Sequence, residues 1–61
     1  MEMTIKIGMD NAAFEDCNGD ELARILRKLA ERLDGATIGE DGDGANLFDA
    51  NGNNVGEWCI I

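Results

Sequence analysis

The stretch Asp20–Asp34 reads DELARILRKLAERLD, and its reading decides the fold. Leu22, Ile25, Leu26, Leu29 and Leu33 recur at i, i+3, i+4, i+7 and i+11, which aligns them on one stripe of a 3.6-residue helix. Ala23 and Ala30 widen that stripe without adding bulk. The ends are marked as well. Asn18 is a suitable N-cap with Glu21 three residues on, the capping-box spacing, and Cys17 with Leu22 has the spacing of a hydrophobic staple. Asp20 and Glu21 fall in the first turn, where the helix dipole favours negative charge. Gly35 follows the last periodic residue and suits a left-handed C-terminal position. Arg24, Arg27, Lys28 and Arg32 occupy the polar flank, and Arg27 with Glu31 forms an i, i+4 pair.

Upstream of the helix, Met1, Met3, Ile5, Ile7 and Met9 alternate with Glu2, Thr4, Lys6 and Gly8, the period of a strand buried on one face. The connection Asp10–Gly19 carries one large apolar residue, Phe14, which is expected at the edge of the core. Downstream, GATIGEDGDG over Gly35–Gly44 is a glycine-rich acidic loop, with Ile38 as an anchor or a short strand. The remainder, Ala45–Ile61, reads as a hairpin. Asp49-Ala50-Asn51-Gly52-Asn53 suits a three-residue loop with a type I turn and a left-handed Gly52, placing Leu47 opposite Val55 and Phe48 opposite Asn54. Val55, Trp58 and Ile60 do not share one parity. A bulge near Gly56-Glu57 would bring all three to the core side and leave Cys59 and Ile61 outside. The expected fold is therefore α+β: a single domain over residues 1–61, β-α-β-β in order, a three-stranded mainly antiparallel sheet with one helix on one face. Strand order stays open.

A chain of 61 residues buries only about 60% of the surface it exposes when unfolded, so its stability margin is thin. Cys17 and Cys59 do not form a disulfide scaffold and read as small buried hydrophobes of a reduced, cytoplasmic chain. No signal peptide pattern and no apolar run of membrane-spanning length is visible. Asp49-x-Asn51-x-Asn53 matches the opening of a calcium loop, but Asn54 stands where the turn glycine belongs and Ile60 where a bidentate glutamate belongs. The run Asp16-x-Asn18-x-Asp20 fails in the same way. No metal or other cofactor is expected. With no histidine, neither cysteine has a ready general base, and no carboxylate falls within the apolar stripe that would raise its pKa. The chain is expected to be no enzyme.

Charge carries the functional reading. Thirteen acids face five bases, a net charge of −8. Residues 20–34 hold four of each sign, so the whole excess lies outside the helix: Glu2, Asp10, Glu15, Asp16, Glu40, Asp41, Asp43, Asp49 and Glu57 against Lys6 alone. Such a chain repels nucleic acid and anionic membranes as direct partners and is attracted to basic surfaces. A body of this length is expected to span roughly 27 Å. One DNA strand carries roughly eight phosphates over that distance. The bland alternative is a merely solubilising surface.

A small, histidine-free, acidic chain with this element order resembles the small acidic anti-CRISPR proteins of phages and mobile elements, including inhibitors of type I (I-C) effector complexes. The resemblance rests on NAAFED (11–16), ELARILRKLAERLDG (21–35) and LFDANGNNVGEW (47–58). It implies stoichiometric inhibition by a DNA-mimicking surface that fills the basic DNA-binding channel of the effector. Glu40, Asp41, Asp43, Asp49 and Glu57 are the acidic residues expected to carry it, and Trp58, Ile61 or Phe48 would add apolar contact if exposed. A monomer inside the bacterial host is expected in preference to a dimer. The rival reading is a small acidic interaction or regulatory module that pairs with itself through an exposed sheet face or edge.

Overall fold

The computed structural model describes residues 1–39 and 43–61. Strand β1 spans Met3–Ile7, a single 3-10 turn covers Ala12–Phe14, helix α1 runs Asn18–Leu33, and strands β2 (Gly44–Phe48) and β3 (Asn54–Ile60) form the hairpin. The fold is the expected α+β arrangement, and the sheet is antiparallel throughout in the order β1-β3-β2. The most C-terminal strand is thus the central one. It pairs with β1 from Met3↔Ile60 to Ile7↔Gly56 and with β2 from Gly44↔Cys59 to Phe48↔Asn54.

The hairpin turn follows the sequence pattern. Gly52 N–H donates to the Asp49 carbonyl at 3.0 Å, Asp49 N–H donates to the Asn53 carbonyl at 2.9 Å, and Gly52 is left-handed at φ 84°. The bulge, however, lies one residue earlier than expected. Leu47 faces Gly56 instead of Val55, and Phe48 faces Asn54, so Val55 is the extra residue of β3. The consequence for the core is the one anticipated: Trp58 and Ile60 are buried, Val55 packs against them, and Ile61 is exposed. At Gly56 strands β1 and β3 approach so closely that a Cβ there would overlap the Lys6 carbonyl oxygen and sit 3.0 Å from the Ile7 Cα. Gly56 is in register with β1 through Ile7, and the irregularity falls on the β2 side, where Val55 is the extra residue.

Phe14, Ile25, Leu29, Leu47, Trp58 and Ile60 form the core. The helix therefore sits over β3 and β2, and among the described residues Lys6, Asn46, Phe48 and Glu57 are exposed on the sheet's other face. Two expectations fail here. The alternating methionines of β1 were expected on a buried face, yet Met3, Ile5 and Met9 are each more than a third exposed. They share the helix side of the sheet, but a single helix is too narrow to cover the outermost strand. Leu26, on the helix stripe, is likewise 43% exposed.

The helix start differs as well. Asn18 is already helical, and Cys17 takes the N-cap position in a left-handed conformation (φ 47°) with no side-chain cap. Asp20 N–H donates to the Cys17 carbonyl at 2.8 Å. Neither the Asn18–Glu21 capping box nor the Cys17–Leu22 staple forms, and Cys17 is exposed instead of buried. Ile38 lies outside any strand and is also exposed. At the other end Gly35 is left-handed (φ 77°), as its position after the helix requires.

Gly56→Ala is expected to lower stability by about 2–3 kcal/mol, because the added methyl forces β1 and β3 apart. Gly52→Ala, where nothing lies within 4 Å and only the positive φ is strained, is expected to cost about 1 kcal/mol. Urea denaturation of both variants checks the ranking, and a Gly56→Ala variant as stable as the parent would refute the close strand approach.

Candidate functional site: an acidic surface and a carboxylate-tied hairpin

The acidic residues fall into two groups with different environments. Asp49 and Glu21 are buried, at 4% and 8% exposure. Asp49 Oδ1 accepts from the backbone N–H of Asn51 and of Asn53, both at 2.9 Å. Its Oδ2 accepts from Asn11 Nδ2 at 3.1 Å and Asn53 Nδ2 at 3.3 Å. This carboxylate organises its own turn, as aspartate at the head of a loop commonly does. Burial pushes the Asp49 carboxyl up, but the hydrogen bonds from the Asn53 backbone, Asn11, the Asn53 side chain and Asn51 outweigh it and hold the pKa below its ordinary value. The Asp49-x-Asn51-x-Asn53 run is thus spent inside a hairpin loop.

Glu21 joins that loop to the helix. Its Oε1 accepts from Arg24 Nε at 2.7 Å, and its Oε2 accepts from Arg24 Nη2 at 3.1 Å and from the Ala50 backbone N–H at 2.7 Å. Arg24 Nη2 also donates to the Phe48 carbonyl at 3.2 Å. The hydrogen bonds from Arg24 lower the Glu21 pKa, against burial, with help from the Ala50 amide. The same partner raises the Arg24 pKa. Among the described residues this is the ion pair of the molecule; Arg27 and Glu31 do not form the expected one.

The second group is exposed. Glu2, Asp10, Glu15, Asp16, Asp20, Glu31, Asp34 and Glu57 are on the surface, and among the described residues none of them forms an ion pair. Four of these, Asp10, Glu15, Asp16 and Asp20, lie between the end of β1 and the first turn of α1. The residues singled out from the sequence that the structure describes lie in different environments. Glu40 and Asp41 lie outside the described residues. Asp43 is half-buried, with Gly39 N–H donating to its Oδ2 at 3.4 Å. Glu57 is exposed on the open face of the sheet, between Lys6 and Asn46 in register. Asp49 is buried in its turn and presents no charge at the surface. Trp58 is only 7% exposed, and its indole N–H meets no acceptor among the described residues, so packing alone places it. It is a core residue and offers no contact area. Phe48 and Ile61 are the exposed ones of the three apolar candidates.

Arg24, Lys28 and Arg32 follow one another at four-residue spacing along the helix flank above β2, where they line a groove of about 390 Å³ together with Glu31, Asn46 and Leu47. No group of His, Cys, Asp or Glu among the described residues is arranged to hold a metal ion, and no helix is long and apolar enough to cross a membrane.

Both buried carboxyls have lowered pKa values in the folded state. The unfolded chain therefore takes up protons more readily than the native one as pH falls, and the stabilisation they supply is present above their ordinary values of 4.5 and 3.8 and is lost progressively below them. Thermal unfolding between pH 6 and about pH 2.5 is expected to show a falling midpoint below about pH 4. A Glu21→Gln/Asp49→Asn variant is expected to be less stable at neutral pH and to show a flatter acid limb. An unchanged acid limb in that variant would assign the pH dependence to other groups.

Comparison with protein-family models, with curated proteins and with solved structures finds no significant match to this chain.

Proposed function

We propose that this protein is a non-enzymatic inhibitor whose acidic surface occupies a basic, DNA-binding surface of a protein complex, in the manner of the small acidic anti-CRISPR proteins that act on type I effectors. The observation that carries this reading is the uncompensated charge. Among the described residues, eight exposed carboxylates form no ion pair, while four of the chain's five cations sit on the helix and one of those is taken up by buried Glu21. An acidic surface that is only solubilising needs no such excess; a surface that competes with phosphates for a basic channel does.

Dimensions fit the same reading. The molecule measures 35 × 20 × 17 Å, longer than the span expected from chain length. One DNA strand carries about ten phosphates over that length, against a net charge of −8. The burial of Asp49 moves the proposed contact surface away from the hairpin tip. Asp10, Glu15, Asp16 and Asp20 become its centre, with Glu57 on the open sheet face and exposed Phe48 or Ile61 as apolar contacts.

Titrating the protein into a purified type I effector with labelled target DNA is expected to give stoichiometric loss of DNA binding that weakens as salt rises. Asp10→Lys/Glu15→Lys/Asp16→Lys is expected to reduce inhibition by about tenfold or more without lowering the thermal midpoint. Full inhibition by that variant would overturn the mimic reading. Asp49→Lys is unsuitable for the purpose, because it removes the acceptor of the whole turn.

A further inference from the structure

Among the described residues no strand pairs with the outer edge of β1, and its residues are complementary to a second copy of themselves. We infer that the protein forms a two-fold dimer by antiparallel pairing of β1 with β1 of another copy, centred on Thr4, to give one six-stranded sheet. Backbone direction supports this first. Glu2 and Ile61 exchange both N–H···O=C bonds at 2.9 Å, so even-numbered residues of β1 bond inward to β3. By antiparallel alternation the N–H and C=O groups of Met3 and Ile5 point outward. An antiparallel pair centred on Thr4 opposes Met3 to Ile5 of the other copy, residues whose backbone groups are both free to bond.

The side chains select the register. Pairing about Thr4 sets Glu2 of each copy opposite Lys6 of the other, two unlike pairs on the open face of the sheet. A shift to either neighbouring allowed register, centred on Met3 or Ile5, opposes Glu2 to Thr4 or Gly8 and removes both pairs. On the helix side the same register joins Met3 and Ile5, 37% and 42% exposed, to their counterparts. A two-fold axis normal to the sheet keeps both helices on one face. The cation row lies over β2, so Leu26 lies on the opposite flank of α1, turned toward β1 and the second copy. Three exposed apolar residues per chain are thereby covered by one operation, and an unprotected apolar strand edge is closed.

This inference does not depend on the inhibitor reading, and its test involves neither effector nor DNA. Sedimentation velocity from low to high micromolar concentration is expected to show a monomer–dimer equilibrium. Glu2→Lys or Lys6→Glu alone places like charges at both contacts and is expected to weaken dimerisation roughly tenfold. The double variant Glu2→Lys/Lys6→Glu is expected to restore it to within about threefold, since the swap recreates the unlike pairs. Circular dichroism confirms the fold of each variant. Amide exchange of Met3 and Ile5 is expected to slow on dimerisation. A monomer at every concentration, a double variant no tighter than the singles, or a dimer in which those amides stay unprotected would each overturn the inference.

Discussion

The contact on which the rest of the structure depends is the carboxylate of Glu21. It takes the Arg24 guanidinium from its own helix and the Ala50 amide from the hairpin loop, and so fixes where the helix crosses the sheet. Core packing alone does not set that position. Ile25 and Leu29 are apolar knobs that could slide along a sheet of similar residues, whereas a buried carboxylate has only a few geometries that satisfy both oxygens. Asp49 does the same for the loop that Glu21 holds. Two acids of an otherwise repulsive set are in this way turned into structural acceptors.

The elements themselves were legible because each is local. The 3.6-residue stripe, the period of two in β1, and the Asp-x-x-Gly turn all record short-range geometry, and all appear within one or two residues of their expected places. What could not be read is what depends on distant partners. Gly56, which the sequence pattern puts in the bulge, is instead pressed against β1, a contact with a strand nearly fifty residues away. The capping-box spacing at Asn18 and Glu21 is genuine in the sequence, yet Glu21 finds a stronger set of donors in Arg24 of its own helix and Ala50 of the hairpin. Periodicity placed Met3 and Ile5 on the apolar side, but periodicity carries no information about how wide the covering layer is.

The candidate site divides along the same line. Charge count and its confinement outside the helix come directly from composition. Burial does not, and it removes Asp49 and Trp58 from the surface while leaving Asp10, Glu15, Asp16 and Asp20 upon it. A signal for Asp49 was present: an aspartate followed by two asparagines in a tight turn is surrounded by donors and seldom left free. For Trp58 the signal was the bulged register of β3, which puts it on the core side with Val55 and Ile60.

Placing the most C-terminal strand at the centre also shapes how the chain folds. The β2–β3 hairpin closes through a three-residue loop and can form early, but β1 joins it only by bringing Met3 beside Ile60. That closure spans almost the whole sequence and carries the largest entropic cost of any contact in the sheet. β1 is therefore the natural last element to dock, with contacts largely absent from the folding transition state. Changes at that strand should speed unfolding more than they slow folding. Any assembly that uses its outer edge has to wait until the monomer is complete.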